Sequence, residues 1–326
     1  MPTDTPTDNQ LPLTAVTPVR SREARRRDRS QWGWCYLFLA PFLLFFIAFT
    51  LWPIAATMSW SFTDFSVPNR GVNFVGLENF KTLFQDELYR RSFVNTLIFA
   101  VGNTVLKLPL SLLLAVLLTR QWVAGRSFFR TIYFLPIVIP TAIAGFIFAL
   151  LLNPFNGAVP DILRDFDLIG RRDNIFLGSR VGAMTSIILV SVWQIMGQYL
   201  VYWIAALQSV PQELSDAAGI DGAGFWQELF LITLPAIRPV AIIITFLGLV
   251  NAFSVFGIVL TLTNGGPGTQ SFVMQLFVYE RGFTEVPFRY GYISAGALLF
   301  SLFILVMFVI QTVTVRRAQA QLAGRP

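Results

Sequence analysis

Six long segments of this chain are apolar and almost free of charge, which restricts the folds it can adopt. No charged side chain occurs from residue 32 to residue 63, and the stretch from Trp34 to Trp52 is long enough to cross a hydrocarbon core of ~30 Å. The other five segments are Phe93–Leu118, Ser127–Leu152, Val181–Leu207, Val240–Leu262 and Tyr290–Val315. Because only intrahelical hydrogen bonds satisfy a backbone in lipid, the pattern predicts an all-α integral membrane protein with six transmembrane helices.

The composition favours this membrane bundle over soluble domains. Only 13% of the residues are charged, about half of the ~25% that soluble globular proteins carry. A secretory signal is the alternative for the first segment, but that segment exceeds the usual ~7–15 residues of a signal core. Tryptophans flank it at both ends, as interfacial anchors do. Inside the third segment, Pro136 and Pro140 predict a kink.

Arginine is distributed unevenly, and this predicts the orientation of the chain. The net charge is +6, and much of it lies in the run from Arg20 to Arg29 beside the first segment, so membrane orientation explains the excess better than a nucleic-acid partner. Further arginines in the second loop and after the last segment are Arg120, Arg126, Arg130, Arg316 and Arg317. Since cytoplasmic loops are enriched in Lys and Arg, we expect both termini and the second loop to be cytoplasmic.

One connection, between the fourth and fifth segments, differs from the others. Ser209 and Gln212 fit a capping box, and Pro211 fits a first helical turn. Helical spacing places an apolar stripe on the short helix that follows: Val210, Leu214, Ala217 and Ala218. Gly222 then permits a turn, and a second helix is expected to run to Leu234-Pro235. The sequence predicts a helical hairpin, with its first helix at about residues 209–223.

The charge of this hairpin indicates a protein partner. Helices that lie on a membrane surface usually carry Lys or Arg on their polar face. This hairpin carries acids instead: Glu213, Asp216, Asp221 and Glu228. A partner with a basic cleft therefore fits better than a lipid surface.

The hairpin resembles the EAA loop of ABC-importer permeases. In that family Glu-Ala-Ala, three residues, Gly, nine residues and Ile-x-Leu-Pro form the coupling helix. The matching residues are Asp216-Ala217-Ala218, Gly222, Ile232 and Leu234-Pro235, with every spacing kept. Asp replaces Glu at position 216, which keeps the charge on a shorter side chain. The resemblance implies contact with an ATPase through Glu213, Asp216, Ala217, Ala218, Asp221, Gly222, Leu234 and Pro235.

The similarity covers about residues 34–315 and favours the carbohydrate-uptake branch, of the maltose, trehalose and glycerol-phosphate type. Segments outside the hairpin that carry it are Gly76–Phe80, Asn95-Thr96, Phe134–Pro136, Ile139-Pro140, Asn153-Pro154 and Leu262–Gly268. It implies the type I importer permease fold in the inner membrane of a prokaryote. The implied partners are a second permease in a heterodimer, an ABC ATPase dimer and an extracytoplasmic solute-binding protein.

The resemblance also implies a function, and together with the composition along the chain it suggests a division into regions. The function is uptake of a di- or oligosaccharide, with glycerol 3-phosphate, glycerophosphodiesters or polyols as alternatives. The expected regions are a disordered cytoplasmic tail at 1–30, the first helix and an outer loop at 31–92, a core permease domain at 93–315 whose coupling loop is 208–239, and a cytoplasmic tail at 316–326.

The chain lacks the motifs of a catalyst. No Gly-x-x-x-x-Gly-Lys-[Ser/Thr] loop is present to bind phosphates, and with no histidine and one cysteine there is no Cys/His metal cluster. We therefore expect a non-enzymatic subunit that binds no cofactor, with ATP and Mg²⁺ on the partner ATPase. A membrane-embedded enzyme or a secondary transporter is the alternative class, and co-purification of an ATPase would separate these possibilities.

Polar side chains inside the apolar segments are candidates for the solute pathway, because they are costly in a membrane. The fourth and fifth segments, which flank the hairpin, supply most of them: Trp193, Gln194, Gln198, Tyr199, Tyr202, Asn251 and Ser254. Helix–helix hydrogen bonding, worth about 0.6 kcal/mol per pair, is the alternative role. In the second segment Asn103, Lys107 and Ser111 share one face. Lys107 either pairs with a carbonyl or a partner acid, or attracts an anionic group of the solute.

Overall fold

The computed structural model describes the backbone of residues 22–67, 72–119, 123–170 and 175–323, and within these ranges it is predominantly helical. The helices are α1 (Arg22–Phe46), α2 (Trp52–Trp60), α3 (Glu78–Gln85), α4 (Glu87–Thr119), α5 (Arg126–Phe134), α6 (Thr141–Leu151), α7 (Ala158–Asp165), α8 (Arg180–Gln208), α9 (Gln212–Ile220), α10 (Phe225–Gln227), α11 (Leu234–Phe253), α12 (Gly257–Leu262), α13 (Met274–Tyr279) and α14 (Tyr290–Ala323). Short π-helical segments occupy Ile47–Leu51, Glu228–Thr233 and Glu280–Thr284, and a 3₁₀ turn occupies Leu135–Val138.

The described helices include the predicted membrane spans. Five are long and apolar enough to cross a membrane: Trp34–Trp60, Glu87–Thr119, Arg180–Gln208, Phe225–Phe253 and Tyr290–Thr314. A sixth span consists of Arg126–Val138 and Thr141–Leu151, two helical pieces bent by 94°. The prediction of an all-α membrane protein with six spans is thus confirmed if the bent pair counts as one.

The helices extend beyond the predicted segments at both ends of the chain. Helix α1 begins at Arg22, so the backbone of residues 22–30 is helical although a disordered tail was expected there. Helix α14 continues to Ala323, through most of the expected C-terminal tail. Residues 1–21, Arg120 and residues 324–326 lie outside the described residues.

The backbone divides into two compact units, one ending at Ala56 and one beginning at Thr57. The first unit contains α1, the π segment that follows it and the beginning of α2. The second contains α3 to α14. In this second unit α4 packs along α8 and α11, and the core between them includes Phe99, Ile187 and Tyr199, all nearly inaccessible to solvent.

The bend in the third span confirms the predicted kink and shows how its backbone is satisfied. The helix stops after Val138, and α6 begins one residue after Pro140. Gln194 on α8 donates a hydrogen bond from Nε2 to the carbonyl oxygen of Ile139, at 2.8 Å. A neighbouring helix thus supplies the partner that the break removes, as is required inside a membrane.

The fifth span ends earlier than predicted. The apolar run Val240–Leu262 suggests one helix, but α11 stops at Phe253 and residues 257–262 form the separate helix α12. Helix α12 packs against α6, where a Cβ on Gly145 would overlap the side chain of Thr261. This close crossing stabilises a change in the direction of the chain. Hydrophobic periodicity does not indicate that change, because both halves of the run are apolar.

Candidate functional sites

The connection between the fourth and fifth spans is a helical hairpin at residues 209–235, as predicted. Helix α9 ends in a Schellman motif: Gly222 N–H donates to the carbonyl of Gly219 (3.2 Å) and Ala223 N–H to that of Ala218 (2.9 Å). Gly222 has φ +74°, a conformation that costs a residue with a side chain about 1–2 kcal/mol. A Cβ there would meet nothing within 4 Å. Backbone conformation, and not space within this chain, therefore selects glycine at position 222.

The cap at the start of the hairpin differs from the prediction. Ser209 is the last cap of α8, and its hydroxyl donates to the carbonyl of Ala206 at 2.7 Å. Pro211 precedes α9 as its N-cap and supplies no side-chain hydrogen bond. The predicted capping box of Ser209 and Gln212 is therefore wrong, because Ser209 bonds back to the preceding helix. A box-like bond occurs instead at the second helix, where Gly224 N–H donates to Gln227 Oε1 at 2.8 Å.

Most of α9 is uncovered. Of the predicted apolar stripe, only Ala218 is buried and Val210 half-buried, whereas Leu214 and Ala217 are exposed. The expected coupling acids are also exposed: Glu213, Asp216 and Asp221. A Cβ on Gly219 would meet nothing within 4 Å. The helix thus presents small, acidic and apolar side chains on a surface that the described part of this chain does not fill.

The second helix of the hairpin continues directly into the fifth span. The sequence suggested an end at Leu234-Pro235, but α10, the π segment Glu228–Thr233 and α11 form one rod from Phe225 to Phe253. A proline ring clashes with the carbonyl four residues earlier, here that of Leu231. The wider π turn accommodates Pro235 without ending the helix, and Pro53 follows the π segment Ile47–Leu51 in the same way. A displacement of the second helix of the hairpin can therefore be passed to a membrane span without an intervening flexible loop, and a turn at residues 221–224 joins α9 to that helix.

A polar cavity of about 200 Å³ lies in the second unit, where the third and fifth spans break. Its polar lining comes from α4, α8, the first residue of α6 and the end of α11: Asn103, Lys107, Thr141, Ser191, Gln194, Asn251 and Ser254. Apolar side chains, among them Phe99 and Phe256, complete the wall. Transporters commonly build solute sites where spans are discontinuous, and the amides and hydroxyls here match the hydrogen-bonding groups of a polyhydroxylated solute.

The cavity contains half of the candidate pathway residues. Lys107, Gln194, Asn251 and Ser254 line it. The other four candidates do not: Trp193 packs edge-on against Phe148, Gln198 Nε2 donates to Tyr202 Oη at 2.7 Å, and Tyr199 lies buried behind the lining. Asn103, Thr141 and Ser191 were not among the candidates for solute contact. Helical spacing did place Asn103 on the face of Lys107, and Ser191, three residues before Gln194, could have been found in the same way.

Hydrogen bonds within the chain orient several lining side chains. Asn103 Nδ2 donates to Ser191 Oγ at 3.2 Å, and Asn251 Nδ2 donates to Tyr199 Oη at 3.1 Å. Gln194 uses its amide nitrogen for Ile139, but its Oε1 is buried and has no hydrogen-bond partner among the described residues. One acceptor in the lining is therefore left for a molecule other than this chain.

Lys107 is the charged member of the cavity. The residue is 1% exposed, and its Nζ lies 4.2 Å from the centre of the Tyr199 ring. No acidic residue lines the cavity, and no described carboxylate forms an ion pair with Lys107. A cation–π contact stabilises a desolvated lysine by about 2 kcal/mol, which is comparable to the 2.5–3.5 kcal/mol cost of inserting it but satisfies none of its three N–H donors.

The sequence of this chain is similar to the sequences of known membrane transport proteins. The family described as "Binding-protein-dependent transport system inner membrane component" matches residues 107–320. The probable starch degradation products transport system permease AmyD of Thermoanaerobacterium thermosulfurigenes is 32% identical over 89% of this chain and 96% of its own length. The sn-glycerol-3-phosphate transport system permease UgpA of Shigella flexneri is 33% identical over 85% of this chain and 92% of its own.

A solved structure shares the fold. It is a chain of a bacterial alginate ABC transporter in complex with an alginate pentasaccharide-bound periplasmic protein, with a TM-score of 0.78 and 25% identity. The match covers 90% of this chain and 97% of that one. The described bundle therefore shares its overall architecture with that chain.

Proposed function

Since this chain belongs to the binding-protein-dependent transport system inner membrane component family, we propose that it carries a sugar-like solute through the polar cavity and couples that movement to an ATPase through the hairpin. The chain is a non-catalytic permease subunit of an ATP-binding-cassette importer in an inner membrane. ATP and Mg²⁺ then belong to the partner ATPase, and this chain binds no cofactor.

The relatives and the cavity together support a saccharide or a related polyol derivative. AmyD is named for starch degradation products, UgpA for glycerol 3-phosphate, and the structural relative for alginate. These solutes share closely spaced hydroxyl groups. The lining of this cavity supplies amides and hydroxyls, with Phe99 and Phe256 as apolar wall. We expect a di- or oligosaccharide delivered by an extracytoplasmic binding protein.

The orientation we propose places both termini and the hairpin in the cytoplasm. Helix α5, which follows the connection from α4, carries Arg126 and Arg130 without an acid, and Arg130 Nη2 donates to the carbonyl of Leu118 at 2.8 Å, so one arginine also caps the end of α4. Six spans return the chain to the side on which it started. In this orientation an ATPase dimer meets α9 from the cytoplasm, and a second permease completes the pathway as a heterodimer.

The observation that carries the coupling role is the uncovered surface of α9, which a turn at residues 221–224 joins to a continuous helical rod. The exposed side of α9 combines acids with Ala217 and Gly219, and small residues allow close approach. Asp216 also borders a second cavity of about 600 Å³, lined by residues from the ends of α4 and α8 and by Glu228. We propose that Glu213, Asp216, Ala217, Ala218, Asp221, Gly222, Leu234 and Pro235 form the coupling element.

Two substitutions test this coupling role in the complete importer. Gly222→Asp strains the αL turn, and Asp216→Lys reverses a charge that faces the ATPase. Both variants should insert into the membrane and be recovered in normal amount, but solute uptake driven by ATP should fall by at least tenfold. Uptake in vesicles and ATP hydrolysis should be measured on the same preparations. Wild-type uptake in both variants, or protection of residues 209–235 from cytoplasmic labelling reagents in the absence of the ATPase, would contradict the proposal.

A further inference from the structure

The polar cavity combines three features, and a site for a neutral sugar does not require the first two. The first is Lys107, whose ammonium contacts the ring of Tyr199 and pairs with no described carboxylate. An ammonium is a compact charge with three donors that an aromatic face cannot satisfy. Because the residue is 1% exposed, a partner has to enter the cavity for those donors to be used.

The second feature is the beginning of α6. Thr141, the first residue of this eleven-residue helix, lines the cavity, and the preceding Pro140 provides no side-chain cap. The first amides of a helix have no intrahelical acceptor and carry the positive end of the helix dipole. The bend of the third span thus brings a second source of positive potential to the cavity that contains Lys107.

The third feature is an unused acceptor. Gln194 is 2% exposed and lines the same cavity, and its Oε1 has no partner among the described residues. An acceptor oxygen calls for a hydroxyl or an N–H group and not for a carboxylate. The cavity therefore fits a molecule that carries both a negative group and a hydrogen-bond donor.

From these features we infer that the solute carries a carboxylate or a phosphate beside its hydroxyl groups, with the anion at Lys107 and a hydroxyl at Gln194. This inference rests on the proposed role of the cavity as the solute pathway, and it narrows the solute to acidic saccharides and sugar- or polyol-phosphates. Asn103 and Ser191, which bond to each other, lie in the same lining and are the next groups available to the solute.

Matched acidic and neutral ligands test the inference without knowledge of the natural solute. The complete importer, with both permeases and the ATPase dimer saturated with nucleotide, would be placed in nanodiscs without binding protein. Binding of galacturonate would be compared with that of galactose, and binding of glycerol 3-phosphate with that of glycerol, by titration of the thermal unfolding midpoint. The two pairs separate a carboxylate from a phosphate as the preferred anion.

The wild type should bind at least one acidic ligand more tightly than its neutral counterpart. Lys107→Gln should weaken that ligand about tenfold or more, as expected for the loss of a hydrogen bond to a charged group, and should leave neutral ligands unchanged. Lys107→Arg should retain most of the preference. Lys81→Gln is the matched control, since Lys81 is the other lysine of the chain and is exposed.

Two results would overturn the inference. One is equal binding of acidic and neutral ligands by the wild type, which would mean that a partner acid satisfies Lys107. The other is an acid preference that Lys107→Gln leaves intact, which would place the anion elsewhere, for example on the ATPase. Neither result affects the coupling proposal, because the Gly222→Asp variant is judged by the ratio of uptake to ATP hydrolysis.

Discussion

The polar cavity and the hairpin differ in how much of each this chain completes by itself. In the cavity, the side chains are held by bonds inside the chain, such as those from Asn103 to Ser191 and from Asn251 to Tyr199. On α9 the acids are exposed, Ile220 is 87% exposed, and a Cβ on Gly219 would meet nothing within 4 Å. A single chain therefore fixes the shape of the cavity but leaves the hairpin surface for a second protein to cover.

This difference predicts opposite responses to the same kind of mutation. Inside the bundle, an added methyl group has to displace packed backbone, which costs stability of the chain itself. On the hairpin, an added methyl group meets open space in the described chain, so a loss is expected only when the partner is bound. Glycines offer the sharpest version of this comparison, because helices of the bundle and of the hairpin both contain them.

Gly197→Ala should have the largest effect on the folded chain. Helix α8 crosses the end of α5 at Gly197, where a Cβ would overlap the backbone carbonyl of Tyr133. Backbone cannot move aside as the end of a side chain can, so we expect a loss of about 1–3 kcal/mol. The apparent melting temperature of the purified importer in detergent would show it. An unchanged melting temperature would mean that α5 shifts freely against α8.

The sequence predicted the six spans and the turn at Gly222 because both depend on local chemistry. The length of an apolar segment indicates a membrane span whatever the segment packs against. A glycine after a short amphipathic helix indicates a left-handed C-terminal cap. The faces of single helices were also predictable. Asn103, Lys107 and Ser111 do share a face of α4 and all are buried.

Features that depend on tertiary contacts were not predictable. Ser111 does not line the cavity, because its hydroxyl donates to the Lys107 carbonyl (2.7 Å) and accepts from Trp203 Nε1 (3.1 Å). The end of α11 at Phe253 was missed because no proline or charge marks it, and only the packing of α12 against α6 explains it. Thr141 lines the cavity because the third span bends by 94°. Hydrophobic periodicity cannot predict the size of that bend.

Gln194→Leu should have an intermediate effect. It removes the donor to the Ile139 carbonyl at the break of the third span, and a buried carbonyl without a partner costs about 1–3 kcal/mol. The average for side-chain hydrogen bonds in membranes is about 0.6 kcal/mol, so we expect a loss near 1 kcal/mol. The melting temperature should fall less than for Gly197→Ala. A fall as large as that of Gly197→Ala would show that the break depends on this one bond.

Gly219→Ala should have the smallest effect on the chain and a different sign. Glycine is less favourable in a helix than alanine by up to about 1 kcal/mol, and Gly219 lies in the last turn of α9, where a Cβ meets nothing within 4 Å. The permease purified without its ATPase should therefore be as stable as the wild type or slightly more stable. In the complete importer, the methyl group lies on the surface assigned to the partner, so less ATPase should co-purify.

Ala223→Gly, after the turn and with a half-buried side chain, is the control for general loosening of the hairpin. Lower stability of the isolated Gly219→Ala permease would show that the chain itself covers α9, and the contrast between cavity and hairpin would then be lost.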